Sequence, residues 1–246
     1  MIPHSLLLSG MDIPFPEARV NIVQPKVKDI LYISEDSFYS GCELLNFSKD
    51  VLYQQDKVGL EDKTNFDVLM SIMTDKSKES QVVRNNALMV LTLLFPDFII
   101  RLLPASIELE KEENKFYIDN RNFEEFKQIL KQMFCLEEHN EKNPEYNPGG
   151  SKAAAIAEKL KKARMQKQQT SAEHKEITII SKYVSILSVG LKLNINEIES
   201  EYTLYQLFEQ QKRFSLKEQN DIYLKAKLAG AKDLKEIDNW MDDIHP

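Results

Sequence analysis

The residues able to do chemistry are few and scattered along the chain. The four histidines are His4, His139, His174 and His245, each near a terminus or in a polar stretch. No two have the HxxxH or HExxH spacing with which one helix face holds zinc. The two cysteines, Cys42 and Cys135, are too far apart for a CxxC redox pair or a metal-ligand pair. Both sit among apolar neighbours, so they are expected to be buried, reduced thiols of a cytoplasmic protein. The acidic pairs Glu112-Glu113 and Asp242-Asp243 fall in a turn and a tail, where carboxylates are solvated surface charge rather than an acid/base pair. There is no GxSxG elbow, phosphate-binding loop or dinucleotide fingerprint, and glycine is scarce at 7 residues. The expectation is a protein with no catalytic centre, no metal and no cofactor.

Charge and hydropathy narrow the class further. Hydrophobic residues make up 42% of the 246 and charged residues 29%, which is a globular composition. A formal net charge of −7 argues against broad coating of nucleic acid. One basic stretch runs against that trend: Lys152, Lys159, Lys161, Lys162, Arg164 and Lys167, with Glu158 as the sole acid between Ser151 and Gln169. Without aromatic residues it has no stacking platform for single strands, so it reads as a solvated or acidic-protein-facing helix. Met1 to Ser5 has no basic n-region, and Leu6-Leu7-Leu8 is too short for a signal peptide. The longest apolar run, Ala87 to Phe95, is cut by Pro96 well short of the roughly 20 residues of a membrane span.

The elements that position these residues are mostly helical. Residues 1–24 read as extended or looped, with a short strand at Arg19 to Ile22; Ile13-Pro14-Phe15-Pro16 has no place inside a helix. Gln24-Pro25-Lys26 opens a first helix. Apolar stripes at helical spacing follow: Phe38, Cys42 and Leu45; then Phe66, Leu69, Met70 and Met73, capped by Asn65; then Val83, Ala87, Val90, Leu91 and Leu94. After Pro96 the pattern alternates, which predicts a small antiparallel sheet over 98–118. Asn122 caps the next helix, with Phe123, Phe126, Ile129, Leu130 and Met133 inward.

Residues 138–150, rich in Pro, Gly and Asn, form a linker. The predicted fold is therefore α+β and mainly α-helical: a helical N-terminal domain with a small antiparallel sheet (1–137), a linker (138–150), and a helical C-terminal region (151–246). In that region Ile177, Ile180, Val184 and Leu187 mark one helical face, and Ile179, Tyr183 and Ile186 a second, so this helix should be buried on most sides. Thr203 and Gln206 form a capping box with Tyr202 and Leu207 as its hydrophobic staple. Ser215 and Glu218 repeat the box, Gly230 closes that helix, and Asp233 starts a last one carrying Leu234, Ile237, Trp240, Met241 and Ile244.

The run Tyr202-Thr203-Leu204-Tyr205-Gln206-Leu207-Phe208, continuing through Arg213-Phe214, Lys227-Leu228-Ala229-Gly230-Ala231-Lys232 and Asn239-Trp240-Met241-Asp242-Asp243-Ile244, resembles phage tail assembly chaperones of phages and prophages of Gram-positive bacteria. Ile13-Pro14-Phe15-Pro16, Gln24 to Ile30 and Tyr146-Asn147-Pro148-Gly149-Gly150 look like the same family. The resemblance implies a non-enzymatic protein of the host cytoplasm. Its implied partners are the tape-measure protein, which it keeps soluble, and the tail-tube protein, whose subunits it helps recruit; self-association is a further candidate. No membrane partner is expected, and the net charge and the aromatic-free basic stretch disfavour nucleic acid, a third and weaker reading. The competing function is a structural component of a phage tail or baseplate. On the chaperone reading the aromatic and aliphatic side chains of the last helices, Tyr205, Phe208, Phe214, Trp240 and Met241, are the candidate partner-binding residues.

Overall fold

A computed structural model describes residues 1–48, 62–75, 77–136, 179–230 and 240–241. The 138–150 linker, the basic stretch 152–167, most of the final helix expected from Asp233, and His139, His174 and His245 lie outside the described residues. The described part is α+β and mainly helical, as the patterning predicts.

The chain opens on a short helix α1 (His4–Ser9), not on loop. Leu6-Leu7-Leu8 is compatible with one helical turn, and Gly10, at φ 67°, ends it in the left-handed conformation that glycine adopts without a Cβ clash. Strands β1 (Ile13–Phe15) and β2 (Val20–Ile22) then pair antiparallel, Ile13 opposite Ile22 and Phe15 opposite Val20, with these four side chains buried. Helix α2 (Val27–Tyr32) follows; Pro25 stands outside its first turn, and the Asp29 carboxylate accepts from the Lys26 backbone N–H at 3.1 Å.

Helix α3 (Glu35–Leu45) crosses α5 (Lys78–Leu94) at Gly41. A Cβ there would lie 2.5 Å from the Asn86 carbonyl oxygen and 2.7 Å from Val90, so glycine sets the closeness of this pair. Between them in sequence is α4 (Asn65–Thr74), whose cap is Thr64, not Asn65. Thr64 Oγ1 accepts from the Asp67 N–H while Asp67 accepts from the Thr64 N–H, and this local donor holds the Asp67 carboxyl below its ordinary range. Asn65 instead donates to Glu124.

The sheet is where the alternation placed it: β3 (Ile99–Leu103), β4 (Ser106–Lys111) and β5 (Asn114–Ile118), antiparallel in that order. Ile107, Leu109 and Ile118 face the core. Glu108 lies on the opposite face, covered by Arg101, Lys115 and Tyr117 rather than sunk among apolar groups. Desolvation raises its pKa, but the donors around it outweigh that and hold the carboxyl below its usual range. Helix α6 (Phe123–Met133) closes this part, burying all five predicted inward residues. Asn122 precedes it without capping through its side chain; that amide ties the Asp119 N–H to the Tyr117 carbonyl. Cys42 is buried, and burial pushes its thiol pKa up. Cys135 departs from expectation. It is exposed, at φ 51° in the turn after α6, where the helix has ended and its side chain is carried off the apolar stripe.

The C-terminal helices are α7 (Ile179–Leu191), α8 (Ile195–Glu201) and α9 (Leu204–Leu228). One apolar cluster includes Ile180, Val184, Leu187, Ile198, Leu204 and Leu207 together with Val27, Ile30, Phe38 and Phe134. Only the Ile180, Val184 and Leu187 face of α7 is wholly buried; Ile179 is exposed and Ile186 half-buried, and Ile177 lies outside the described residues. The Ser215 box does not start a helix. α9 runs through it unbroken for 25 residues, since Ser and Glu three apart fit a helix interior and nothing between 209 and 215 breaks one.

Candidate functional site

The C-terminal helices are rooted in the body of the protein by polar contacts across long sequence distances. The Thr203 capping box is made: Thr203 Oγ1 accepts from the Gln206 N–H, and Gln206 accepts from the Thr203 N–H at 2.8 Å. Gln206 also donates to the Leu8 carbonyl at 2.6 Å, the Val27 N–H donates to the Tyr202 carbonyl at 2.9 Å, and the Lys26 ammonium donates to the Glu201 carbonyl. At the other end of the assembly the Ile180 N–H, an orphan of the first turn of α7, donates to the buried Glu35 carboxylate at 3.2 Å.

From this root α9 runs beside α7 in the same direction. The Tyr183 ring meets Phe208 edge-on at 5.4 Å between centroids, and further along the Phe214 ring lies on the backbone of Gly190. α7 ends one residue later, at Leu191. α9 continues through 216–228, roughly 20 Å of helix. Along it Ile222 is 64% exposed, Leu224 53% and Leu228 88%, while Leu216, Tyr223 and Ala226 are half-buried. Gly230, at φ 83°, ends the helix.

The five candidate residues fall into three settings. Tyr205 is buried and its hydroxyl sits 2.8 Å from His4 Nδ1, so it fastens α9 to α1. Phe208 and Phe214 are half-buried under α7. Trp240 and Met241 are at the surface, 36% and 68% exposed. The Trp240 carbonyl accepts from Arg213 at 2.8 Å, and Arg213 is itself held by the buried Glu209 carboxylate at 2.7 Å. Arg213 and Leu224 are about three turns apart, so Trp240 is pinned on the side of α9 that carries Leu224 and, one turn on, Leu228. The sequence patterning did not single out Ile222, Leu224 and Leu228 as exposed apolar residues. Their signal was the length of an unbroken helix beyond the end of α7, and helix length alone does not show where the neighbour stops.

Among the described residues no group of three or more His, Cys, Asp or Glu gathers in a way that would hold a metal ion, and no helix is long and apolar enough to cross a membrane. A shallow polar cleft lies elsewhere, between the β1–β2 hairpin and the β3–β5 sheet, lined by Asp12, Arg19, Asn21, Asp97 and Lys111, with Lys111 paired to Asp97 at 2.9 Å.

Comparison with known families bears on the same helices. The YomV second domain matches residues 167–245. That stretch takes in α7, α8 and α9 and the pinned Trp240. No curated protein matches the chain, and no solved structure matches it.

Proposed function

We propose that the protein is a non-enzymatic phage tail assembly chaperone of the host cytoplasm, which binds the tape-measure protein, keeps it soluble and helps recruit tail-tube subunits. One coincidence carries the reading: the stretch that resembles tail assembly chaperones and is similar to the YomV second domain is also the stretch that presents apolar side chains on a helix running beyond the end of α7. A long, hydrophobic, helical client needs its stripe covered until the tube forms around it, and an exposed apolar helix side offers that cover by helix-to-helix packing. Leu224, Leu228, Trp240 and Met241 form the client side of α9, with Trp240 as the aromatic anchor. Phe208 and Phe214 hold α9 against α7 beneath it, and Tyr205 fixes the root.

The test is co-expression with tagged tape-measure protein. Trp240→Ala keeps the backbone carbonyl that Arg213 uses, so the variant stays folded, with its thermal midpoint within a few degrees of wild type. Its affinity for the tape-measure protein falls at least ~30-fold, as loss of an interface anchor of about 2 kcal/mol or more requires, and its recovery in the pull-down falls with it. A folded variant that keeps full binding removes Trp240 from the interface. Mass spectrometry of purified particles addresses the competing reading: a chaperone is absent from them, whereas stoichiometric presence makes the protein a tail or baseplate component.

A further inference from the structure

The side of α9 that α7 covers does not stop where α7 stops. Leu204, Phe208, Gln211 and Ser215 follow one another along this row at helical spacing, and Ile222 and Ala226 continue it about two and three turns beyond Ser215. Leu204 is buried and Phe208 and Gln211 are partly covered, but Ile222, on the same row, is 64% exposed. The covered part ends imperfectly as well, since Gln211 Oε1 is buried without a hydrogen-bond partner although its amide donates to Ser215 at 3.1 Å. The row is thus a packing face that is open at Ile222 while Ala226 beyond it is half-buried, and it is distinct from the Leu224–Leu228 side.

The charges flanking Ile222 identify what fits there. Glu218 lies one turn before it and Lys225 about one turn after it, both exposed and both at the edge of this row. A second helix laid antiparallel across Ile222 would bring its own Lys225 opposite Glu218, and its own Glu218 opposite Lys225. The arrangement is self-complementary about a two-fold axis through Ile222, which is the requirement of an isologous interface. A parallel pairing would bring no Glu218 opposite a Lys225, because each stays level with its own copy.

We infer that the distal half of α9 pairs antiparallel with the same segment of a second copy of this chain, with Ile222 at the two-fold axis and reciprocal Glu218–Lys225 ion pairs on either side. The segment is short and smaller than a standard stable interface, so the dimer belongs to the weak class. The inference does not rest on the tail assembly reading, because it uses the other side of the helix and needs no phage protein.

Sedimentation velocity of the full chain from about 1 to ~500 µM reads the association directly, a range that reaches the weak class. Glu218→Lys and Lys225→Glu each place like charges across the axis and should weaken the dimer at least ~10-fold at low salt. The double variant restores both pairs with inverted sign and should return the dimer to near wild-type strength. In a Cys135→Ser background, Ile222→Cys should oxidise to a disulfide-linked dimer, since the two substituted residues meet at the axis. All the altered side chains are exposed, so circular dichroism should be unchanged. A chain still monomeric at ~500 µM overturns the inference. A double variant as weak as the single ones also overturns it, and would leave the open row to a different helix such as that of a client.

Discussion

Glu35 stands in the first turn of α3, where a carboxylate is favoured by the helix dipole, and it caps the first turn of α7 with the same oxygens. A buried side chain thus satisfies the start of a helix 145 positions away in the sequence. Glu35→Ala leaves the Ile180 N–H buried without an acceptor and is expected to cost about 1–3 kcal/mol, read as a lowered urea midpoint. Glu35→Gln keeps an accepting oxygen and should lose less than half of that. Equal losses for the two variants would mean that the joint depends on charge rather than on the hydrogen bond. No sequence pattern marks this residue: it is one of several acids near the start of a helix, and its partner is not its neighbour.

At the scale of elements, two identical local signals had opposite outcomes. Thr203-x-x-Gln206 and Ser215-x-x-Glu218 both spell a capping box, yet only the first begins a helix. The difference lies outside the motif. Ahead of Thr203 the chain is drawn into an antiparallel bridge with Lys26, which forces extended backbone at the cap position. Ahead of Ser215 nothing interrupts the helix. Thr203→Ala should therefore cost about 1 kcal/mol, with faster amide exchange in the first turn of α9, whereas Ser215→Ala should stay within about 0.5 kcal/mol of wild type. A comparable loss at both positions would show that α9 breaks near 215 in solution.

At the scale of the whole molecule, the apolar cluster crosses the division expected at 138–150. Ile180, Val184, Leu187, Ile198, Leu204 and Leu207 share it with Val27, Ile30 and Phe38. A 1–137 fragment would keep the β3–β5 sheet and α6 but uncover the side of α2 and α3 on which α7 and α8 lie. We expect it to fold with a thermal midpoint well below that of the full chain and to bind hydrophobic dye; equal midpoints would show that 1–137 stands alone. Stability should also fall on the acid side. Asp67, Asp119 and Glu108 are held below their ordinary ranges: Asp67 first by the Thr64 N–H, Asp119 first by the Arg121 side chain, and Glu108 by Arg101, Lys115 and Tyr117 against the opposing effect of desolvation. Because these folded pKa values are depressed, the stability they add is present above the unfolded carboxylate value of about 4 and is lost as pH falls through the folded values. Melting temperature should drop as pH is lowered from about 4, and Asp67→Asn should flatten part of that slope.

What the sequence determined by itself is the local grammar. The apolar stripes of α3 to α6, the alternation of β3 to β5, the Thr203 cap and the Gly230 stop follow from periodicity and from the few residues that satisfy helix ends, because those interactions span only a turn or a hairpin. The resemblance carried by the C-terminal run pointed toward phage proteins, and the similarity to the YomV second domain falls on the same stretch. The tertiary structure alone decided what depends on distant neighbours. It turned Tyr205 from a candidate contact into a buried fastening to His4, lifted Cys135 to the surface, and capped α7 with Glu35. It also left Ile222, Leu224 and Leu228 exposed beyond the point where α7 stops at Leu191. Exposure is a property of where a neighbour ends, and a one-dimensional pattern contains the helix but not the edge of what lies against it.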